Sequence, residues 1–346
     1  MTAVTVDTIP VARPRNARKW LLFAVILVVA YGIIPAFGTS YLFEAILLPF
    51  FALSLAALGL NILTGYAGQL SLGSAAFMAV GAFAAYNFNL RVPGLPLIVS
   101  LFLAGVTAAA FGILFGLPSL RLRGFYLAVS TLAAQFFVKW ALTRFGWLSN
   151  YNSSGVIDAP PLTLLGLRFD GPIGRYLFAL TIVVAVTAFA ARLVATRSGR
   201  EFVAVRDNEI AAKVFGVSIF RTKLLAFGIS SFIIGIAGFL WAFAYLRTVE
   251  PDGFNLDRSF SILFIIIIGG LATIRGAFFG AALIVVFPLV LSRIGALIFG
   301  GLFDSGVLDM SQRIVIGALI IVFLIAEPDG LVALWDRLTK GLTART

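Results

Sequence analysis

Long apolar runs dominate the chain, and short polar or glycine-rich stretches separate them. Ten of these runs approach the roughly 20 residues that a helix needs to cross a bilayer at about 1.5 Å per residue. They lie at 20–37, 41–63, 70–89, 95–117, 125–145, 174–195, 223–246, 259–274, 276–298 and 310–326. The eighth run is short, so 259–298 could instead hold a re-entrant or broken element. The pattern predicts an all-α, polytopic membrane protein with about ten transmembrane segments, within a range of eight to ten.

Composition supports lipid as the solvent for most of the chain. Of 346 residues, 61% are hydrophobic and only 12% are charged, whereas soluble domains carry roughly 45–50% and about 25%. A soluble fold of this size could not bury so much apolar surface. Soluble enzymes and nucleic-acid-binding domains are therefore excluded. The net charge of +11 indicates loops that face anionic membrane lipid and the cytoplasm, rather than a nucleic-acid partner.

Residues that carry chemistry are scarce. The chain has no cysteine and no histidine, so we expect neither a metal site nor a cofactor. Only Glu44 lies clearly within a predicted span, near its outer end, whereas ion-coupled carriers usually hold the ion with intramembrane carboxylates or histidines. No GxxxxGK[ST] motif is present either. The sequence predicts a transport protein, not an enzyme, and any pumping must draw its energy from another subunit.

The distribution of lysine and arginine predicts the topology. With ten spans and a cytoplasmic N-terminus, sixteen basic residues fall in inner segments and eight in outer loops, which follows the positive-inside rule. The predicted organisation is a cytoplasmic tail over 1–19, a transmembrane domain over 20–326 with a long inner loop at 197–222, and a cytoplasmic tail over 327–346. The longest outer segment, 146–174, is either a solvated loop or a short element at the outer mouth of a pathway.

One window combines polar side chains with glycines where lipid is expected. It runs from Leu58 to Tyr86. Unsatisfied polar groups cost several kcal/mol in hydrocarbon, and glycines allow either close helix packing or a broken helix. The window therefore predicts either packing through small residues or a break that lines a translocation path. The candidate pathway residues are Asn61, Thr64, Gly65, Gly68, Gln69, Ser71 and Ser74. A similar but weaker glycine-rich pattern at 269–283 suggests a second broken or re-entrant element.

The long inner loop has an amphipathic pattern. Apolar residues at Phe202, Val205, Ile210, Val214 and Phe215 recur near helical spacing, which predicts a surface helix that ends at Gly216. The helix either lies on lipid headgroups or is presented to a cytoplasmic partner, and its mixed charges weaken the lipid interpretation. The candidate contact residues are Arg206, Asp207, Glu209, Ala211, Ala212 and Gly216.

Two polar residues interrupt the fifth predicted span. Lys139 lies beside Trp140 toward the outer end of that span, so we expect its ammonium group to snorkel to the interface. Gln135 lies deeper in the same span.

Five motifs together resemble one transporter family over almost the whole chain. They are GLNILTGYAGQLSLG (59–73), LRLRGFYLAVSTLA (120–133), GRxFxAVRDNEIAAxxFGV (199–217), GGLATIRGAFFGAAL (269–283) and EPDGL (327–331). The chain resembles permease subunits of branched-chain amino-acid ABC importers, in the LivM-like branch. The resemblance implies a bacterial inner-membrane subunit that translocates a small polar solute. It also implies a LivH-like second permease, two cytoplasmic ATP-binding subunits and an extracytoplasmic solute-binding protein.

The resemblance gives the inner loop a role but leaves the substrate open. The loop resembles a coupling loop that docks in an ATPase groove, and Ala211, Ala212 and Gly216 match its small residues, while Ile210 replaces its acidic residue. Ser74 and Phe125 stand where the family often has histidine. The resemblance favours a branched-chain or other amino acid, with urea or short amides as alternatives. A different class, a stand-alone channel or ion-coupled carrier, would have no use for a coupling helix.

Overall fold

The computed structural model describes residues 25–119, 125–152, 156–164, 167–299 and 330–343, and scattered helical residues between 314 and 325. Two compact units divide the chain, one up to Ser40 and one from Tyr41 onward. In the first unit, the described part is a short apolar helix, α1 (Val25–Phe37). The predicted tail 1–19 lies outside the described residues, as does most of the predicted span 310–326.

Helices build nearly all of the described part of the second unit. They are α2 (Leu42–Tyr66), α3 (Ser74–Arg91), α4 (Leu97–Ser119), α5 (Phe125–Arg144), α6 (Pro172–Ala195), α7 (Arg197–Asp207), α8 (Glu209–Val214), α9 (Ile219–Leu246), α10 (Leu256–Gly269), α11 (Ile274–Phe299) and α12 (Gly330–Thr343). A 3-10 turn covers Pro251–Phe254. Among the described residues, five helices are long and apolar enough to cross a membrane, namely Leu42–Tyr66, Leu97–Leu117, Pro172–Ala195, Ile219–Leu246 and Ile274–Arg293. The prediction of a polytopic helical membrane protein is confirmed.

Two helices form the centre of the bundle. In α2 and α9, 83% and 72% of the most apolar window is buried, whereas the corresponding windows of α4, α6 and α11 are only 22–33% buried. Both central helices contain π-helical turns, at Leu42–Leu47 and Ile62–Tyr66 in α2 and at Leu240–Leu246 in α9. The outer helices expose large apolar side chains such as Phe102 and Phe136, which suits a lipid-facing surface.

Glycine allows a very close helix contact in this core. A Cβ added to Gly81 in α3 would lie 2.6 Å from the Cα of Gly235 in α9. Any larger residue would push the two backbones apart, as at the small-residue interfaces of membrane helices.

The connections gather at two opposite ends of the bundle. At the end that we call the Arg206 end, Arg206 of α7 contacts Gly65 of α2, and Asn61 contacts the turn between α10 and α11. At the opposite end, the Arg175 end, β1 (Ile157–Asp158) pairs antiparallel with β4 (Thr248–Val249).

The Arg175 end also carries most of the predicted outer segment 146–174. A small hairpin there joins β2 (Thr163–Leu164) to β3 (Leu167–Arg168), and the side chain of Arg91 donates to the carbonyl of Trp147 over 2.6 Å. Segments that the sequence predicts on the same side of the membrane are therefore in contact in the structure. Which end faces the cytoplasm stays a prediction.

Candidate functional site

The polar-glycine window contains a real interruption of helix. The π-helical turn that ends α2 stops at Tyr66, and α3 begins only at Ser74. The seven residues between them, 67–73, are named here the break segment. Gly68 has a φ of 68°, a conformation that costs little only for glycine. Of the two alternatives for this window, the break is therefore the one present, and it covers 67–73. Gln69 and Ser71 within it are buried, with 3% and 1% exposure.

Side chains from two other helices hold the far end of the break segment. The backbone N–H of Leu72 donates to Thr131 Oγ1 of α5 over 2.9 Å. The N–H of Ala75 donates to Ser259 Oγ over 2.9 Å, and Ser259 lies in the first turn of α10. These bonds replace the intrahelical partners that backbone groups lack at a helix break. The break segment therefore leads from the Arg206 end into the interior of the bundle.

A chain of buried hydrogen bonds continues from Ser259. Its hydroxyl donates to Gln135 Oε1 over 3.2 Å, and Gln135 Nε2 donates to the carbonyl of Phe254 over 2.8 Å. The intramembrane amide noted in the sequence is thus a structural link between α5, α10 and the turn before α10. Sequence reasoning missed Thr131 and Ser259, because single hydroxyl residues in apolar helices more often bond to their own backbone.

The second predicted break is present but shorter than expected. Helix α10 ends at Gly269 and α11 begins at Ile274, so only 270–273 is non-helical within the glycine-rich stretch 269–283. Both the nitrogen and the oxygen of the Asn61 side-chain amide form hydrogen bonds with this turn. Its Nδ2 donates to the Thr273 carbonyl over 2.8 Å, and its Oδ1 accepts from the Ala272 N–H over 2.9 Å. The two broken elements are therefore joined directly.

The inner loop differs from its prediction. One continuous amphipathic helix was expected, but Asn208 adopts an extended conformation between α7 and α8. Its Oδ1 accepts from the N–H groups of Ile210 and Ala211, each over 3.0 Å, and so caps α8. Asparagine is a strong N-cap, and this local preference outcompetes the helical periodicity. The predicted end at Gly216, with φ of 81°, is confirmed.

The turn at Asn208 splits the predicted apolar face in two. Phe202 and Val205 of α7 are buried against the rest of the chain, at 0% and 2% exposure. Beyond the turn, Ile210, Val214 and Phe215 are 76%, 80% and 85% exposed. The second half thus presents an exposed apolar patch of three residues, which is named here the α8 patch.

Arg206 joins the inner loop to the break segment. Its Nη1 donates to the carbonyl oxygen of Gly65 over 2.9 Å, and its Nη2 lies 2.8 Å from Asp207 Oδ1. A Cβ added to Gly68 would lie 2.7 Å from Arg206 Cγ. The two sets of candidate residues, separated by more than a hundred positions in the sequence, therefore form one site at the Arg206 end.

An ion pair anchors α8 to this site. Lys223 Nζ of α9 lies 2.5 Å from Glu209 Oε1, and the two side chains are 10% and 32% exposed. Together with Gln69 and Asn208 they line a polar cavity of about 140 Å³. The ion pair and the Asn208 cap hold the α8 patch in a fixed orientation.

The remaining candidate residues have these places. Thr64 Oγ1 donates to the Gln69 carbonyl over 3.0 Å. Both side-chain amide atoms of Gln69 and the hydroxyl of Ser74 are buried without a hydrogen-bond partner among the described residues. Ala212 is 3% exposed and faces its own chain, whereas Ala211 is exposed. The pathway role of the window and the coupling role of the inner loop stay predictions.

Two charged residues noted in the sequence form ion pairs near the Arg175 end. Lys139 Nζ lies 2.8 Å from Asp252 Oδ1, with 46% of the lysine side chain exposed. Glu44 pairs with Arg175, a buried residue that also donates to the Asp170 carbonyl over 3.1 Å. In the described part of the chain, no group of three or more acidic, histidine or cysteine residues is arranged to hold a metal ion.

Comparison with known proteins identifies the family. Residues 42–324 match a family described as branched-chain amino acid transport system permease component. The LivM permease protein of the Salmonella typhimurium high-affinity branched-chain amino acid transport system is 35% identical over 252 residues. That alignment covers 66% of this chain but only 59% of the relative's length. No solved structure matches the chain.

Two more distant relatives carry different names. The probable branched-chain amino acid transport permease LivM of Methanocaldococcus jannaschii is 25% identical over 72% of this chain and 81% of its own length. The autoinducer 2 import system permease LsrC of an Enterobacter species is 29% identical over 82% of this chain and 84% of its own length. These two relatives, with similar sequence identity to this chain, are thus named for chemically different solutes.

Proposed function

We propose, from the premise that the chain belongs to the branched-chain amino acid transport system permease family, that it is the membrane-spanning permease subunit of a bacterial ABC importer. It translocates a small polar solute that an extracytoplasmic binding protein delivers. Separate ATP-binding subunits supply the energy. It resides in the inner membrane with both termini in the cytoplasm.

The α8 patch is the observation that carries this proposal. Three large apolar side chains, Ile210, Val214 and Phe215, stand exposed at the end of the bundle that holds the basic inner loop. Basic loops mark the cytoplasmic side of membrane proteins, so the patch faces the compartment that contains ATP. A helix whose apolar face is exposed is suited to insertion into a partner's groove. We assign that groove to the ATP-binding subunit.

The contacts of Arg206 supply a route for the motion. Displacement of α8 would pull on Lys223 through Glu209, and displacement of α7 would pull on Gly65 through the Arg206 hydrogen bond. From Gly65 the break segment continues to Thr131 and Ser259. A chain of bonded groups therefore connects the docking surface to the interior of the bundle, which is the physical connection that coupling requires.

The partners follow from what the chain lacks and from its family. Its sequence contains no phosphate-binding loop, so the energy is supplied by other subunits, and the family resemblance implies two cytoplasmic ATP-binding subunits. A LivH-like second permease completes the membrane part, and the lipid bilayer surrounds the exposed helices. The substrate is a branched-chain or other amino acid, in line with the names of the LivM relatives. Urea or a short amide carried by the same machinery is the alternative.

A pull-down experiment tests the proposal. The permease is co-expressed with its second permease and the ATP-binding subunits, and retention of the ATP-binding subunits and uptake of labelled amino acids are measured. Phe215→Ser should release the ATP-binding subunits and abolish uptake. The matched control is Tyr151→Ser, which removes a 77% exposed aromatic residue at the Arg175 end. Full retention of the ATP-binding subunits and undiminished uptake with Phe215→Ser would instead favour a channel or carrier that acts alone.

A further inference from the structure

A second site lies in a cleft on the opposite half of the bundle from Arg206. The cleft has a volume of about 820 Å³, which lies in the range of small-molecule sites. Four helices and Gly317 line it. The helical parts are the first half of α2, the π-helical end of α9, the first turns of α10, and the middle of α11, which contains Pro288. Its lining includes residues that neither the family motifs nor the charge pattern singled out.

One wall of the cleft is polar and carries both signs of charge. Trp241, Tyr245, Asp257 and Arg258 all line it. The guanidinium carbon of Arg258 lies 4.0 Å from the centroid of the Trp241 ring, and the Trp241 and Tyr245 rings are 4.7 Å apart. The Trp241 ring thus holds the arginine against the wall by a cation–π contact. Asp257, the residue before Arg258, adds a carboxylate to the same lining.

The rest of the described lining is largely apolar. It includes Leu53 of α2, Phe264 of α10 and Val285, Pro288 and Leu289 of α11. A ligand with a charged end and a branched aliphatic end would match both parts of the lining, because the apolar end would be removed from water while the charged end keeps its partners.

Polar atoms in this wall lack partners within the described structure. Arg258 Nε and Trp241 Nε1 are both buried without a hydrogen-bond acceptor among the described residues, and Trp241 as a whole is only 3% exposed. Buried donors normally have an acceptor. Two unsatisfied donors, one of them in the Arg258 guanidinium, leave this wall electropositive, which favours an anionic group in the cleft.

Three other cavities among the described residues do not combine these properties. One, of about 860 Å³, is lined mostly by apolar residues of α4, α6 and α9, with Arg221 as the charged residue of its described lining. Another, of about 480 Å³, has Arg91 as its charged residue and no acidic residue in its described lining. The cavity beside Arg206 has charges of both signs but a volume of only about 140 Å³, below the range of small-molecule sites.

We propose that the cleft beside Arg258 is the intramembrane binding site for an amino-acid zwitterion. The substrate carboxylate binds the Arg258 guanidinium, its ammonium group faces Asp257, and its aliphatic side chain packs against Val285 and Leu289. Arginine is suited to a carboxylate because its planar fork offers paired donors. This assignment rests on the proposed function and adds to it the residues that recognise the substrate.

Ser259 gives the site its connection to the Arg206 end. It follows Arg258 directly in α10 but is not among the residues that line the cleft, and its hydroxyl accepts from the N–H of Ala75 in the first turn of α3. Movement of the start of α3, which directly follows the break segment, would therefore act on the helix turn that carries Arg258.

Thiol labelling tests the charge of the cleft without depending on transport. The chain has no cysteine, so Ser261→Cys, at a position that lines the cleft, introduces a unique thiol in this subunit. The complete transporter in membrane vesicles is treated with an anionic and a cationic methanethiosulfonate. The ratio of the anionic to the cationic rate constant reports the positive charge that Arg258 adds to the cleft. Adding Arg258→Gln should lower that ratio several-fold, while Arg258→Lys should keep it. A ratio that stays unchanged when Arg258→Gln is added would overturn the assignment.

Substrate protection tests the ligand. A mixture of L-leucine, L-isoleucine and L-valine should slow labelling of the Ser261→Cys thiol several-fold, and L-leucinamide, which lacks the carboxylate, should not. Arg258→Gln should abolish the protection. The control thiol, Ser218→Cys at the Arg206 end, should label at the same rate in every case.

Failure of the inference and failure of the proposed function give different results. If the wild-type transporter accumulates amino acids but protection persists unchanged in Arg258→Gln, the cleft assignment is wrong and the proposed function stands. If the wild-type transporter accumulates no amino acid, the proposed substrate is wrong, and the assignment of a zwitterion site is overturned with it.

Discussion

Arg206 donates a hydrogen bond from Nη1 to the backbone carbonyl of Gly65 over 2.9 Å, across 141 positions of sequence. The bond joins the inner loop to the end of a central helix, immediately before the break segment. It thereby places a residue of the proposed docking region in contact with backbone that leads into the bundle. A displacement of the inner loop would therefore reach the bundle through this contact.

The contact between Gly68 and Arg206 should be needed for coupling. Gly68→Ala adds a Cβ that would lie 2.7 Å from Arg206 Cγ, at a φ of 68°. Gly94→Ala is the matched control, because Gly94 has a φ of 79° but no atom within 4 Å of an added Cβ. Both variants carry left-handed backbone strain of about 1–2 kcal/mol. Only Gly68→Ala should reduce substrate-stimulated ATP hydrolysis, and equal activity of the two variants would contradict the prediction.

The Asn61 amide should stabilise the permease itself. Asn61→Asp keeps an acceptor for the Ala272 N–H but removes the donor to the Thr273 carbonyl. An unsatisfied buried partner costs about 1–3 kcal/mol, and the buried carboxylate adds to that cost. Thermal unfolding in detergent, followed by size-exclusion chromatography, should show a clear loss of stability. Asn89→Asp, at a half-buried position, should cost less, and the reverse order would refute the stabilising role of Asn61.

The neighbouring alanines of α8 should behave differently when replaced by tryptophan. Ala212 is 3% exposed and packs within the chain, whereas Ala211 is exposed. Overpacking typically costs about 1–3 kcal/mol, so Ala212→Trp should lower the amount of folded permease in the membrane. Ala211→Trp should leave that amount unchanged and release the ATP-binding subunits. Membrane levels and pull-down yields separate the two effects, and normal pull-down with Ala211→Trp would count against docking at α8.

The two ends of the bundle should react with impermeant thiol reagents from opposite sides. Ser218→Cys lies at the Arg206 end and Thr163→Cys at the Arg175 end, and both positions are exposed. In intact cells the Thr163→Cys thiol should react with an external reagent. The Ser218→Cys thiol should react only in inside-out vesicles, because the positive-inside rule assigns its loop to the cytoplasm. The opposite pattern would invert the topology.

The site could be predicted from the sequence only in part. The polar-glycine window left close packing and a break as alternatives, because polar groups and glycines are expensive in a continuous lipid-facing helix under either one. The structure has the break. The periodicity of the inner loop predicted one amphipathic helix, but the cap at Asn208 divides it and exposes Ile210 while Val205 stays buried. The periodicity shows which residues are apolar. Whether these residues face the protein or solvent depends on the change of helix direction at Asn208, which the periodicity does not show.

By itself, the sequence determined the membrane setting, the long apolar helices and the glycine-rich stretches where breaks were possible. These depend on short-range physics, since a backbone in lipid must satisfy its hydrogen bonds within the helix. Only the tertiary structure decided that Asn61 bonds to Thr273, that Arg206 bonds to Gly65, and that Trp241 and Arg258 share one cleft. The hydrogen-bonded partners lie far apart in the chain, and their meeting depends on how whole helices pack, which no local pattern of residues records.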